Sequence, residues 1–255
     1  MHANPFSSLR PSFAGKGYAH VPAFLSTDEL ADVRANLQRY QEQVAPNLEP
    51  YRVLYDVDGD VRFARMMVNM DKADTFFAEL LNGPKARGLA AALLGEEVVP
   101  QALEYFDKGP RIGKPTPAHQ DGYYFCLVPN HAVTLWVALD DCDQDNGCMS
   151  YVIGSHQRGV IDHAASGVVG FSQGIVEASY EPAGLFVAAG KAGDCFAHHS
   201  LTIHMAGANR SDRHRRSLGL VYYGVSARLD EEAFARYQSS VAEQRKSYPT
   251  AASAR

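Results

Sequence analysis

The chain has 255 residues, with 24 basic against 29 acidic side chains, a formal charge of −5 and a pI of about 6.0. That mild acidity speaks against a phosphate backbone as the main ligand, and 46% hydrophobic with 21% charged residues excludes a disordered or fibrous chain. No apolar run approaches the ~18 residues of a membrane span, and the opening MHANPFSSLRPSF lacks the basic-then-apolar layout of a signal peptide. A cytoplasmic protein with neither a nucleic-acid nor a membrane partner is expected, acting as a monomer or homodimer. The four cysteines (Cys126, Cys142, Cys148, Cys195) form no CxxC pair and sit in apolar stretches, where they read as small core residues.

In chain order, a short apolar segment from Tyr18 to Leu25 precedes the capping box Ser26-Thr27-Asp28-Glu29. Behind it Leu30, Val33, Leu37, Tyr40 and Val44 recur on one helical face, so a helix of about 18 residues follows. Tyr51 to Met67 alternates around Asp58-Gly59, a dipeptide that tolerates the positive φ of a tight hairpin turn. Two more helices are expected near 71–82 and 84–94, with Asp71 and Asp74 suiting the first turn of one and Pro84 the first position of the other.

From residue 97 the texture changes to short segments parted by Gly, Pro, Asn and Asp. They are Val98 to Phe106, Ala118 to Phe125, Val133 to Leu139, Met149 to Ile153, Gly184 to Val187, Asp194 to Phe196, Leu201 to His204 and Ser217 to Tyr223. Many short strands with turn signals indicate a sandwich or jelly roll, braced on one face by the helices. One domain spanning 1–255 is expected: a mostly helical part with a hairpin over 1–96, a β core over 97–225, and a helix or tail over 226–255.

The chain carries ten histidines, and one stands two residues before an acid in His119-Gln120-Asp121. Chance alone supplies about one such match in this composition, so the motif means nothing by itself. Its setting gives it weight, because in a strand residues two apart share a face and both side chains can reach one ion. With a histidine from a distant strand they would make a two-His-one-carboxylate triad, which leaves three positions open on Fe(II). The stretch GDCFAHHSLTIHMAGANRSDRHRR offers three candidates for that histidine: His198, His199 and His204.

Four blocks in order, FAGKGYAHVPAFLSTDEL (13–30), PAHQDGYYF (117–125), VTLWVALDDCDQDNGCMSYVIGSH (133–156) and GDCFAHHSLTIHMAGANRSDRHRRS (193–217), carry a resemblance. The chain resembles the phytanoyl-CoA dioxygenase-like iron(II)/2-oxoglutarate oxygenases, a family that includes ectoine hydroxylases. The resemblance implies a double-stranded β-helix (jelly roll, cupin-like) core braced by N-terminal helices. It implies iron ligands at His119, Asp121 and His204, leaving His198 and His199 as strand residues with structural hydrogen bonds, either of which could line the pocket, and His156 as a turn residue. It places the distal carboxylate of 2-oxoglutarate on Arg215, whose planar fork can bind two oxygens at once. Its neighbour Arg216 would face the other way if this is strand. Gln101, Gln120 and Trp136 are implied around the co-substrate. Ala206 departs from the family's usual serine, so Thr134 or Tyr105 is expected to supply the missing hydrogen bond.

The implied chemistry couples O₂ and 2-oxoglutarate, released as succinate and CO₂, to oxidation of a substrate C–H bond, by default hydroxylation. Asp121 speaks against a halogenase, in which this carboxylate is replaced by a small residue. Tyr123, Tyr124 and Phe125, with Arg62, Arg65, Met66, Met67 and Asn69 from the hairpin region, are candidates for the wall of a pocket for a small metabolite or natural-product intermediate. Two other readings stand: a jelly-roll protein that binds a metal or small ligand without turnover, and the same site giving desaturation, ring closure or epimerisation.

Overall fold

The computed structural model describes residues 4–56, 64–168, 171–175 and 184–247. Helix α1 (Arg10–Lys16) ends at Gly17, where φ is 82° and an added Cβ would lie 2.5 Å from both His156 and Thr202, so only glycine lets the chain turn there into β1 (Tyr18–Val21). Helix α2 (Thr27–Arg39) begins on the expected capping box: the Ser26 hydroxyl accepts from the Glu29 N–H at 3.2 Å, and the Glu29 carboxylate accepts from the Ser26 N–H at 2.7 Å. It continues through a π turn to Val44, which accounts for the full apolar stripe. Strands β2 (Val53–Tyr55) and β3 (Ala64–Met67) pair antiparallel as the expected hairpin, whose turn at Asp58-Gly59 lies outside the described residues.

Helix α3 (Thr75–Asn82) starts later than the sequence suggests. Asp74 caps it by accepting from the Phe76 N–H, while Asp71 belongs to a preceding 3₁₀ turn and accepts instead from the Leu103 N–H at 2.9 Å. Helix α4 (Pro84–Leu94) has proline at its first position and ends at Gly95 in the left-handed region.

The β region contains β4 (Val98–Lys108), β5 (Thr116–His119), the short helix α5 (Asp121–Phe125), β6 (Leu127–Val128), β7 (Ala132–Ala138), β8 (Met149–Val152), β9 (His163–Val168) and β10 (Phe171–Ile175). After these come β11 (Leu185–Val187), β12 (Cys195–His199), β13 (His204–Ala206), β14 (Arg215–Gly224), β15 (Arg228–Leu229) and helix α6 (Glu231–Ser247). The larger sheet has the order β1-β12-β7-β14-β4-β3-β2, and the smaller one β11-β8-β13-β5, with β9 and β10 pairing beside β5. Two sheets of antiparallel strands closing on one interior make the jelly roll.

Leu37, Phe77, Leu89, Leu103, Leu135 and Leu218 join the helices to the outer face of the larger sheet in one buried cluster, and a second, with Trp136, Tyr151 and Phe196, fills one end of the space between the sheets. The helices therefore brace one face of the larger sheet, leaving its other face to line the interior.

Two expected strands need correction, and one hairpin was not expected. The segment Ala118 to Phe125 is not one strand: β5 ends at His119, and Asp121 opens a helical turn. Gly122 lets that turn pack against Asn130, which an added Cβ would approach to 2.5 Å. Leu201 to His204 is a turn, with β13 starting at His204 rather than ending there. The β9–β10 hairpin escapes the pattern because its sequence is mostly small and polar, with little apolar alternation to read.

Candidate active site

β5 delivers His119, α5 delivers Asp121 and β13 delivers His204 to one point, and His204 pairs with His119 across the β5–β13 ladder. The ligand-capable atoms of these three residues lie within 4.8 Å of one another. Oδ1 of Asp121 stands 3.6 Å from Nε2 of His119 and 3.5 Å from Nε2 of His204. The opposite ring nitrogens are spoken for: Nδ1–H of His119 donates to the Pro117 carbonyl at 2.8 Å, and Nδ1–H of His204 to the Thr202 carbonyl at 3.0 Å. A carbonyl can only accept, so both Nδ1 atoms carry the proton and both Nε2 lone pairs face the carboxylate.

Oδ2 of Asp121 is held separately. The Thr134 hydroxyl donates to it at 2.7 Å, and Nε2–H of His198 at 3.1 Å, while the Tyr151 hydroxyl lies 3.2 Å from Nδ1 of His198. His198 thus touches the cluster without belonging to it, and His199 turns the other way to accept from the Leu201 N–H. Burial, and for His204 the neighbouring imidazoles as well, holds His119 and His204 below the ordinary histidine range. Burial alone would raise the Asp121 carboxyl, but His204, His198 and His119 outweigh it and keep the group well below the usual carboxylate range. Two neutral imidazoles and an ionised carboxylate, each with its outer atom anchored, form the donor set and outer support that a divalent transition-metal ion requires.

The cluster opens into a cavity of about 320 Å³. Alternation along three neighbouring strands builds its wall: Ala102, Glu104, Phe106 and Lys108 from β4; Arg215, Gly219, Val221 and Tyr223 from β14; Thr134 and Trp136 from β7. Arg215 is buried in the cavity wall with its guanidinium 5.2 Å from the Trp136 ring; among the described residues its one hydrogen bond goes to the Ser217 hydroxyl at 3.3 Å, and its Nε has no partner. Arg216 faces away and grips Asp140 with two nitrogens at 2.8 and 2.7 Å. The strand alternation therefore separates the two arginines as expected.

Other expected site residues divide. Gln101, Trp136, Thr134, Phe125, Arg65 and Met66 line the cavity. Gln120 does not: its carboxamide is consumed by the carbonyls of Gly159 and Leu201 and by the Ile161 N–H. Tyr105 is buried on the helix-facing side of β4 beside Gln41, because it alternates with Glu104 and Phe106. Thr134 reaches the cavity, but its hydroxyl is committed to Asp121. Tyr123 stacks on His163, and the Tyr124 hydroxyl donates to the Gln173 carbonyl behind His119. Met67 is fully buried in the core, and Arg62 lies outside the described residues.

Glu104, Lys108 and Phe171 also line the cavity and escaped the sequence reading. The inward alternation of Glu104 with Lys108 was the available signal for the first two. Burial, and then the Asp121 and Asp71 carboxylates, push the Glu104 carboxyl up to about 7.

A family model described as phytanoyl-CoA dioxygenase matches residues 13–217. The chain belongs to the phytanoyl-CoA dioxygenase family. Among its relatives is the probable alpha-ketoglutarate-dependent hypophosphite dioxygenase of Stutzerimonas stutzeri, 25% identical over 229 residues that cover 87% of this chain and 80% of that one. Among solved structures it is similar to the epimerase SnoN in complex with Fe³⁺, alpha ketoglutarate and nogalamycin RO, with a TM-score of 0.69 and 27% identity over 87% of this chain and 84% of that one. The carbocyclase SnoK from nogalamycin biosynthesis is similar too, with a TM-score of 0.70 and 25% identity over 89% and 85%. This family member is an Fe(II)/2-oxoglutarate-dependent dioxygenase using O₂.

Proposed function

We propose that His119, Asp121 and His204 hold the iron, that Arg215 anchors the distal carboxylate of 2-oxoglutarate beside Trp136, and that the remaining cavity takes a small metabolite or natural-product intermediate for hydroxylation. The observation that carries this reading is the convergence of three anchored ligand atoms within 4.8 Å in the wall of a cavity that is also lined by a buried guanidinium whose Nε has no partner among the described residues. When bound, the iron supplies the oxidising chemistry that turns 2-oxoglutarate and O₂ into succinate, CO₂ and an oxidised substrate.

The chain's own residues do the rest. The carbonyls of Pro117 and Thr202 fix the imidazole tautomers, and Thr134 with His198 keeps Oδ2 of Asp121 occupied, so that one carboxylate oxygen is left for the metal. His119, Asp121 and His204 would hold the ion with three protein ligands and would leave room on it for the keto acid and O₂. Gly219, with no side chain, makes room for the Phe106 ring, which an added Cβ would approach to 3.1 Å, and its register partner Trp136 lines the cavity beside it.

Met66, Phe106, Phe125, Phe171, Val221 and Tyr223 give the substrate side an apolar lining, and these contacts exclude water from a C–H bond placed near the metal. The relatives' names span a phosphorus oxyanion, an epimerisation and a ring closure, so the outcome depends on which C–H bond this lining presents. A substrate library scored for succinate release and product mass together tests the reading: succinate without an oxygenated product would turn it toward epimerisation, desaturation or ring closure.

The proposal extends to one domain over residues 1–255, acting in the cytoplasm as a monomer or homodimer without a nucleic-acid or membrane partner. A net charge of −5 supports this, as does the absence among the described residues of any helix long and apolar enough to cross a membrane.

A further inference from the structure

Two buried cations stand side by side in the cavity wall. Lys108 stands directly opposite Arg215 in the β4–β14 register, so both side chains leave the same face of the sheet at the same level. Both line the cavity, with only 5% and 4% of their surfaces exposed. Among the described residues neither has a carboxylate within 4.0 Å. The Lys108 ammonium donates to the Lys114 carbonyl and to the Thr116 hydroxyl at 3.2 Å, both neutral acceptors, which among the described residues leaves one N–H unspent. Thr116 is in turn the register partner of Ala206 across β5 and β13. Ala206 lines the same cavity and has no hydroxyl to donate, whereas Thr116, accepting from Lys108, keeps its own proton free.

Asp56 attracts Lys108 and Asp107 attracts Arg215 only from beyond 4.0 Å; adjacent buried cations so weakly compensated are costly, and an anion between them lowers that cost. We infer that Lys108, together with the Thr116 hydroxyl it holds, forms the second half of the clamp on the distal carboxylate of 2-oxoglutarate, Arg215 gripping it from β14 and Lys108 from β4. The inference rests on reading this cavity as a 2-oxoglutarate site. It accounts for Lys108 lying among neutral acceptors, and it supplies the donor that position 206 lacks.

The charged groups facing Lys108 are Arg215 from β14 and Asp56 and Arg65 from the β2–β3 hairpin, while Lys114 in the following loop faces Asp56. Burial, and then the Arg215 charge, push the Lys108 ammonium down to about 7. A bound carboxylate favours the charged form and raises that value. Above pH 7, 2-oxoglutarate should therefore bind with uptake of a proton, and its affinity should fall as pH rises.

The test is anaerobic calorimetry of the iron-loaded protein with 2-oxoglutarate near pH 8, in two buffers of different ionisation enthalpy. Wild type should take up close to one proton per ligand. Lys108→Met should take up none and bind about 10–100-fold more weakly, as expected for loss of a buried charge-assisted contact. Lys108→Met combined with Ala206→Ser should regain part of the affinity without regaining proton uptake. Wild-type affinity in a folded Lys108→Met protein would overturn the inference, and so would binding to wild type without proton uptake. The second outcome decides the matter even if the variant does not fold. Failure of wild type to bind 2-oxoglutarate at all would instead refute the site reading beneath it, and a loss confined to Arg215→Ala would refute the lysine's part alone.

Discussion

Replacing Thr134 with valine removes one hydroxyl from the support of the metal cluster and keeps the side chain's shape. Oδ2 of Asp121 has two donors, and the Thr134 hydroxyl at 2.7 Å is closer than Nε2 of His198 at 3.1 Å. Thr134 is 7% exposed, so water cannot readily take its place. A hydrogen bond to a charged acceptor contributes about 1.5–3 kcal/mol. At about 1.4 kcal/mol per decade this corresponds to roughly 10–150-fold, in line with the ~10–100-fold loss of metal affinity usual for partners of ligating side chains. Anaerobic calorimetric titration with Mn(II) or Fe(II), with the melting temperature recorded alongside, measures it. A folded Thr134→Val protein that holds the metal as tightly as wild type would refute the reasoning, since Oδ2 would then need no fixed donor.

Arg215→Ala should raise the 2-oxoglutarate requirement about 30-fold or more, and Arg215→Lys should recover only part of it, because an ammonium cannot reproduce the bidentate fork. Arg216→Ala should leave that requirement near wild type, since its partner Asp140 lies outside the cavity; a titration showing the larger effect at Arg216 would invert the reading of β14. His204→Ala should lose the metal while His199→Ala keeps it, as metal analysis after desalting would show; the reverse result would move the third ligand to β12. In the metal-free protein, burial holds His163 down to about 4 and His199 to about 3, so the unfolded chain takes up protons near 6.5 that the folded one refuses. Their contribution to stability is therefore complete above about pH 6.5 and is lost as pH falls toward those lower values, by up to about 1.4 kcal/mol per pH unit for each group. Urea denaturation at about pH 7.5 and pH 5 checks it, and equal stabilities would contradict the assigned burial.

Much of this architecture could be read from residue patterns whose cause is local. The Ser26–Glu29 capping box, Pro84 at a helix start and the alternation that parts Arg215 from Arg216 depend on neighbours in sequence, and the structure keeps all of them. The proposed metal cluster was legible because His119, Asp121 and His204 lie in recognisable blocks, although the strand argument that linked the first two does not hold. Asp121 reaches the site from a helical turn that Gly122 permits, a geometry set by contact with the distant Asn130. Gln120 and Tyr105 were misplaced for the same kind of reason. The 159–161 segment captures the Gln120 carboxamide, and the face Tyr105 takes is decided by which side of β4 the helices cover. The hydrogen bonds of His198 and Thr134 to Asp121 needed the β7–β12 register, which places the two residues opposite each other across strands far apart in the chain. The pairing of Lys108 with Arg215 is likewise a matter of register that no local pattern announces.

Adding Fe(II) and then 2-oxoglutarate to the protein under argon, while recording the visible spectrum, shows whether His119, Asp121 and His204 hold an iron to which 2-oxoglutarate binds. A weak charge-transfer band that needs both components and is absent from Asp121→Ala is expected, because a chelating keto acid would share the ion with the protein's three ligands. Iron-loaded wild type that gives no band and binds no 2-oxoglutarate would contradict that assignment.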